Sequence, residues 1–171
     1  NYVADGGAVL EAAGPEFATR LSLYGTPTAT VLPAQPTGVT EKPFQPRISP
    51  LGLRHPVTAD LPGAGEENPA WGSWFRIIDA VRMRGDTVME GEEGRPLLIL
   101  DRYGEGRVAQ LLSDQAWLWA RGFEGGGPQA ELLRRLSHWL MKEPELEERQ
   151  LLLEAQGDTM RARLRTLSRN D

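Results

Sequence analysis

The distribution of proline limits what the first third of this 171-residue chain can fold into. Ten of its 13 prolines lie between residues 15 and 69. Because a proline inside a helix costs about 3 kcal/mol, this segment cannot hold a long helix. Apolar residues nevertheless recur through it, so we predict an ordered loop with short extended pieces at 28–32 and 39–40. Ahead of it, residues 8–10 predict a short strand, and Pro15 begins a short helix to about residue 21.

Periodic patterns after residue 70 predict the core of the domain. An unbroken apolar run at 97–100 is typical of a strand covered on both faces, and 108–112 returns as its antiparallel partner through a turn at 104–106. Segments 74–81 and 87–89 predict further strands. Pro128 begins a helix that runs to Lys142 and whose apolar stripe is Leu132, Leu133, Leu136, Leu140 and Met141.

The C-terminal tail alternates arginine with smaller or apolar residues between 161 and 166. This alternation favours two strands of a hairpin with its turn at 156–158, whereas Met160, Leu164 and Leu167 also fit one face of a helix. We therefore predict a domain at 1–148 and, at 149–171, a hairpin or helical extension towards a following domain.

Composition and charge exclude several classes of protein. Hydrophobic residues make up 40% and charged residues 25%, as in an ordinary globular domain. The net charge of −5 argues against a nucleic-acid partner, and no apolar run approaches the ~20 residues of a membrane span. The absence of cysteine removes disulfides, thiolate metal sites and cysteine nucleophiles. Because the chain begins with Asn1, we interpret it as a fragment whose targeting signal would lie upstream.

Few residues are candidates for a functional site. A zinc site would need both histidines, His55 and His138, with a carboxylate such as Asp114, and their spacing does not support one, so we predict no metal. The glycines at 104 and 106 precede a strand and those at 125–127 lack a following P-loop lysine, so we predict no cofactor. The glycines at 125–127 precede a helix, so their free N–H groups could hold an anion, but we favour a flexible joint there.

Four residues could contact a ligand: His55 in the proline-rich loop, Asp114, Trp117 and Trp119. The last three follow a predicted strand, and α/β folds place ligands at strand ends. The structural interpretation of Asp114 is different. As a helix N-cap it would accept hydrogen bonds from the first free N–H groups, a role worth about 1 kcal/mol.

Four segments stand in a recognisable order: Gly6-Gly7-Ala8-Val9-Leu10 with Ala13-Gly14-Pro15, Arg54-His55-Pro56-Val57, Gly106-Arg107-Val108-Ala109 through Ser113-Asp114, and Arg135-Leu136 to His138-Trp139-Leu140. Together with the end Trp-Leu-Met-Lys-Glu-Pro-Glu-Leu-Glu-Glu, they resemble the class I glutamine amidotransferase-like domain of large bacterial membrane proteins of unassigned function. The resemblance covers residues 1–148.

This resemblance implies an α/β fold, the flavodoxin-like three-layer sandwich, with its first strands upstream of the fragment. It also implies a position on the periplasmic side of the inner membrane, anchored through upstream segments that are not in this fragment. The expected partners are other cell-envelope proteins or other domains of the same polypeptide.

The catalytic residues of the amidotransferase family have no counterparts in this sequence. That family works with a cysteine on a strand–helix elbow and a His-x-Glu pair, but the elbow here is Ala13-Gly14-Pro15 and neither His55 nor His138 begins a His-x-Glu. We therefore expect no glutaminase activity. We predict a non-catalytic interaction or ligand-sensing module of a cell-envelope membrane protein. The alternative is a hydrolase acting on carbohydrate or peptide through Asp114 and His55.

Overall fold

The computed structural model describes residues 2–65, 69–146, 149–156 and 159–166. Within these ranges the chain is mostly strand. The strands are β1 (Ala8–Ala12), β2 (Ala34–Thr40), β3 (Arg47–Ile48), β4 (Ile77–Arg82), β5 (Asp86–Glu90), β6 (Pro96–Tyr103), β7 (Gly106–Leu111), β8 (Arg149–Gln156) and β9 (Thr159–Thr166). The α-helices are α1 (Trp117–Ala120) and α2 (Gln129–Leu140). No helix in the described part of the chain is both long and apolar enough to cross a membrane.

Five strands form the main sheet in the order β1-β7-β6-β5-β3. Only β1 and β7 run parallel, and every other neighbouring pair of this sheet is antiparallel. Strands β2 and β4 form a second, antiparallel sheet. It joins the end of β7 where the Ile78 amide donates to the Leu112 carbonyl at 2.8 Å.

The predicted flavodoxin-like sandwich is therefore wrong. That fold needs a parallel sheet with crossover helices on both of its faces. Here short turns join β5, β6 and β7, and such turns make successive strands antiparallel. The proline-rich segment supplies only short 3-10 turns between β1 and β2, so no crossover helix forms there.

The hairpin predicted at 97–112 is confirmed. Strands β6 and β7 pair in register from Leu98↔Leu111 to Tyr103↔Gly106, and Gly104 makes the turn at φ +60°, where a side chain would be strained. Helix α2 is also confirmed, two residues shorter at its C-terminus than predicted. Trp139 lies on its buried face, whereas Met141 follows the helix and is exposed.

The proline-rich segment is ordered, as predicted, but its local structure differs. Residues 28–32 were expected to be extended, and instead a 3-10 helix spans Pro27–Thr30. The helix predicted from Pro15 is a single 3-10 turn, Pro15–Ala18. Residues 39–40 do belong to a strand, since they end β2. This strand also contains Pro36, which is tolerated because the pairing of β2 with β4 shifts its register next to it.

In the tail, β8 and β9 pair antiparallel from Arg149↔Thr166 to Gln156↔Thr159. The alternating arginines thus belong to a strand rather than to a helix. The predicted turn includes residues 157 and 158, which lie outside the described residues. The division of the chain at residue 148 stays a prediction.

A cluster of tryptophans closes one end of the core. The Trp119 ring lies 5.1 Å from that of Trp71 and 4.7 Å from that of Trp74, and all three are buried. Gly127 contacts the same Trp119 ring, because a Cβ on this glycine would lie 2.4 Å from Cδ2 of the indole. Gly127 is therefore a packing position, whereas the flexible joint at 125–127 stays a prediction.

Candidate functional site

His55 is a core residue. It is 1% exposed, and its ring packs edge-on against Trp139 of α2 at 6.1 Å. Its Nδ1 accepts a hydrogen bond from the Val57 amide at 3.2 Å. The loop that carries it is tied to α2, where Arg135 donates to the Ala59 carbonyl at 2.5 Å. A ligand in solvent cannot reach this imidazole without opening the core.

The two tryptophans proposed as ligand contacts have different surroundings. Trp119 is buried, and its Nε1 donates to the Gly72 carbonyl at 2.8 Å. Trp117 is 52% exposed at the start of α1, so only this ring of the pair is accessible.

Asp114 forms an ion pair rather than a helix cap. Its Oδ2 lies 3.0 Å from Nη1 of Arg76, whose Nε in turn lies 3.1 Å from Oε1 of Glu41. Helix α1 has Ala116 at its N-cap with no side-chain hydrogen bond, so the predicted capping role is wrong. The hydroxyl that accepts a hydrogen bond from the Gln115 amide, at 3.2 Å, belongs to Ser113.

The two adjacent side chains, which follow β7, face opposite sides, and this explains the exchange of roles. Ser113 points into the protein, is fully buried, and donates from its hydroxyl to the Arg76 carbonyl at 2.7 Å. Asp114, the next residue, points outward and meets the Arg76 guanidinium instead. The structure thus places Asp114 with Arg76, and His55 with Trp139 in the core.

A cleft of about 300 Å³ lies beside this ion pair, between the end of β2, the start of β4 and the 3-10 turn Glu92–Gly94. Its floor is apolar and includes Val39, Phe44 and Ile77. Glu41 lines the cleft as well, so the Arg76 ion pairs and the cleft are contiguous.

Arg95 holds the wall of this cleft together. Its Nη1 donates to Thr40 Oγ1 at 2.9 Å and to Asp79 Oδ1 at 3.1 Å, while Thr40 Oγ1 donates to Asp79 Oδ2 at 2.7 Å. Its Nη2 donates to Glu93 at 3.2 Å. These bonds join β2, β4 and the turn that form the wall of the cleft.

Two charged groups at the rim of the cleft are not used by this network. Among the described residues, neither the Lys42 ammonium nor the Glu92 carboxylate has a hydrogen-bond or ion-pair partner. Both side chains are exposed. The described residues contain no group of three His, Asp or Glu suited to a metal ion.

Glu11 has a carboxyl group whose pKa departs far from its ordinary value. It lies near the end of β1 opposite Gln110 of β7, and burial raises its pKa to about 7. The Gln110 amide nitrogen faces this carboxyl without full hydrogen-bond geometry, so it offsets only part of the effect of burial. Sequence reasoning missed Glu11, although a lone carboxylate in an otherwise apolar strand was a usable signal.

Comparison with solved structures identifies the fold. The cytoplasmic proteins STM1381 and STM3548 from Salmonella typhimurium superpose with a TM-score of 0.65 each, at 20% and 22% identity, over 81% of this chain. The chain spans 57% of each of them. A β-galactosidase from Rahnella sp. R3 superposes with a TM-score of 0.55 at 12% identity, over 93% of this chain and 23% of the enzyme.

At sequence identities of 12–22%, these similarities establish a shared fold and nothing further. No protein-family model and no curated protein matches the chain. None of the comparisons indicates a glutamine amidotransferase-like domain, and the flavodoxin-like fold that this resemblance implied is corrected. The expected periplasmic position came only from the resemblance. It is contradicted by the two Salmonella proteins, which share the fold and are described as cytoplasmic.

Proposed function

We propose that this domain is a non-catalytic ligand-binding module whose ligand enters the cleft beside β2 and β4. The observation that carries the proposal is the pair of opposite charges at the rim, Lys42 and Glu92, which lack partners among the described residues above an apolar floor. Binding sites commonly combine an apolar lining with a few polar groups that orient the ligand.

The chemistry of the rim favours a zwitterionic ligand with an apolar side chain, such as a free amino acid. A carboxylate on the ligand would pair with Lys42 and an amine with Glu92, while an aliphatic group would cover Phe44 and Ile77. The volume of about 300 Å³ lies at the lower end of the range for small-molecule sites and suits a ligand of this size.

The contacts around the cleft favour binding over catalysis. The Thr40 hydroxyl already donates to Asp79, and Arg95 already holds three oxygens, so neither is free to activate a nucleophile. The hydrolase alternative gains no support from the positions of its two residues. His55 is buried against α2, and Asp114 is paired with Arg76.

Calorimetric titration with leucine tests the proposal. We expect saturable binding of leucine and roughly tenfold weaker binding of N-acetyl-leucine and leucinamide, each of which lacks one of the two charges. Lys42→Gln should weaken leucine binding by a similar factor and should no longer discriminate against leucinamide. Glu92→Gln should likewise no longer discriminate against N-acetyl-leucine.

Matched controls are available elsewhere on the surface. Lys142→Gln and Glu105→Gln change exposed residues that do not line the cleft and should leave the affinity unchanged. The absence of saturable binding by the wild-type domain would contradict the proposal. Binding that survives unchanged in both cleft variants would contradict it equally.

A further inference from the structure

Gly91 contacts the apolar floor of the cleft although it does not line the cleft itself. It is buried and comes directly before the turn Glu92–Gly94. A Cβ placed on this glycine would lie 2.8 Å from Cδ1 of Ile77 and 3.3 Å from Cδ2 of Phe44, which are both floor residues. Carbon atoms in contact normally lie about 3.5–4.0 Å apart, so a side chain at this position would displace Ile77.

The backbone at Gly91 does not itself require glycine. Its φ of −89° and ψ of −158° are extended values that residues with a side chain also adopt. The missing side chain therefore matters for the space that it leaves to Ile77 and Phe44, and not for the conformation of the chain. Alanine at this position tests that space without straining the backbone.

Hydrogen bonds tie the elements on both sides of Gly91 in place. The Gly91 amide donates to the Arg95 carbonyl at 2.8 Å, and the Arg95 amide donates to the Glu92 carbonyl at 3.1 Å, so the turn is closed on itself. Phe44 exchanges two backbone hydrogen bonds with Trp74, at 2.8 and 2.9 Å, and its ring packs edge-on against the fully buried Trp74 ring at 6.3 Å. Neither the turn nor Phe44 can yield to a new side chain as easily as the end of a flexible side chain can.

The end of the Ile77 side chain is the part that can move. Ile77 is 3% exposed and belongs to the same core cluster as Trp74, while its backbone pairs with Thr40 of β2. Protein interiors are close-packed, so a displaced Cδ1 finds room only in the open volume of the cleft.

We propose, on the basis of the function proposed above, that Gly91 determines how large an apolar side chain the cleft accepts. With glycine at this position, Cδ1 of Ile77 stays in the floor and leaves the volume above it to the aliphatic group of the ligand. A methyl group on residue 91 would push Cδ1 into that volume, whereas Lys42 and Glu92 at the rim would keep their places. Gly91 is thus a positioning residue that acts on the apolar part of the ligand and not on its charges.

Calorimetric titration of Gly91→Ala with two amino acids tests this role. Leucine should bind roughly tenfold more weakly than to wild type, because its side chain competes with Cδ1 of Ile77. The affinity for 2-aminobutyrate should stay unchanged, since it carries the same two charges on a side chain that is shorter by two carbons. The matched control is Gly25→Ala, whose added methyl meets open space and should change neither affinity.

A compensating change tests the contact itself. Ile77→Val removes Cδ1, the atom that the new methyl group would meet, so Gly91→Ala combined with Ile77→Val should recover the leucine affinity. Ile77→Val alone deepens the floor by one methyl group and should raise the affinity for phenylalanine relative to leucine several-fold. This single variant tests the floor even if Gly91→Ala does not fold, and circular dichroism shows which variants are folded.

The outcomes separate the role of Gly91 from the function of the cleft. Equal losses of affinity for leucine and 2-aminobutyrate in Gly91→Ala would mean that the turn carrying Glu92 had moved, and would overturn the proposed role. A folded double variant that does not recover would overturn it too, as would an unchanged ratio of phenylalanine to leucine affinity in Ile77→Val. The absence of leucine binding by wild type would instead overturn the function of the cleft, and the role of Gly91 with it.

Discussion

Replacing Glu11 with glutamine should remove a large part of the pH dependence of this domain's stability. Burial at the end of β1 raises the pKa of the Glu11 carboxyl from 4.5 to about 7, and its Oε2 has no hydrogen-bond partner among the described residues. Glutamine has nearly the same shape and carries no charge, so it resembles the protonated form of the native side chain.

The direction of the effect follows from proton binding. The folded state holds the Glu11 proton more tightly than the unfolded state, so ionisation of Glu11 destabilises the fold progressively as the pH rises from about 4.5 to about 7. At 1.36 kcal/mol per pH unit the limit is roughly 3 kcal/mol. Because Glu11 keeps some access to solvent, we expect about 1–2 kcal/mol.

Urea unfolding followed by tryptophan fluorescence measures this difference. Glu11→Gln should match wild type near about pH 4 and exceed its free energy of unfolding by about 1–2 kcal/mol near about pH 8. Glu105→Gln changes an exposed carboxylate on the β6–β7 turn and serves as the control, with no such divergence. A constant difference between Glu11→Gln and wild type at both pH values would refute the reasoning.

Two further predictions concern packing and polar contacts. Asp114→Ala and Asp114→Asn should each lower stability by at most about 1 kcal/mol, because both lose the half-exposed pair with Arg76. Ser113→Ala should cost about 1–2 kcal/mol, because the partly buried Arg76 carbonyl and Gln115 amide lose their hydrogen-bond partner. Equal losses in all three variants would contradict the structural role assigned to Ser113. Gly127→Ala should cost about 1–3 kcal/mol through a clash with an indole ring. Gly25→Ala, with open space around it, should be neutral in the same thermal melts.

Local patterns in the sequence were sufficient for several elements. The apolar run before a glycine turn determines the β6–β7 hairpin, because both its pairing and its turn depend on residues that are close in sequence. The apolar residues that recur at helical spacing between 132 and 140 determine α2 in the same way. The prolines determine that no long helix forms between β1 and β4, since their effect on the backbone is local.

Strand direction and the candidate site depended on contacts between distant segments. The resemblance to an amidotransferase-like domain implied a parallel sheet covered by helices. The connections between β5, β6 and β7 are too short to contain a crossover helix, so these strands are antiparallel. No local pattern states whether β1 pairs with β7, and that pairing places Glu11 opposite Gln110 and contributes to its burial.

The cleft shows the same dependence on tertiary structure. Thr40 meets Asp79 across 39 positions of sequence and Arg95 across 55. The pairing of β2 with β4 brings Thr40 to Asp79, and the turn before β6 brings Arg95 to both. The exchange of roles between Ser113 and Asp114 depends on which of two adjacent residues faces the core in the segment after β7. Sequence by itself determined which segments extend or coil, because those preferences act over a few residues. The packed structure decided which polar groups lose water and which meet a partner, because burial and pairing depend on the whole fold.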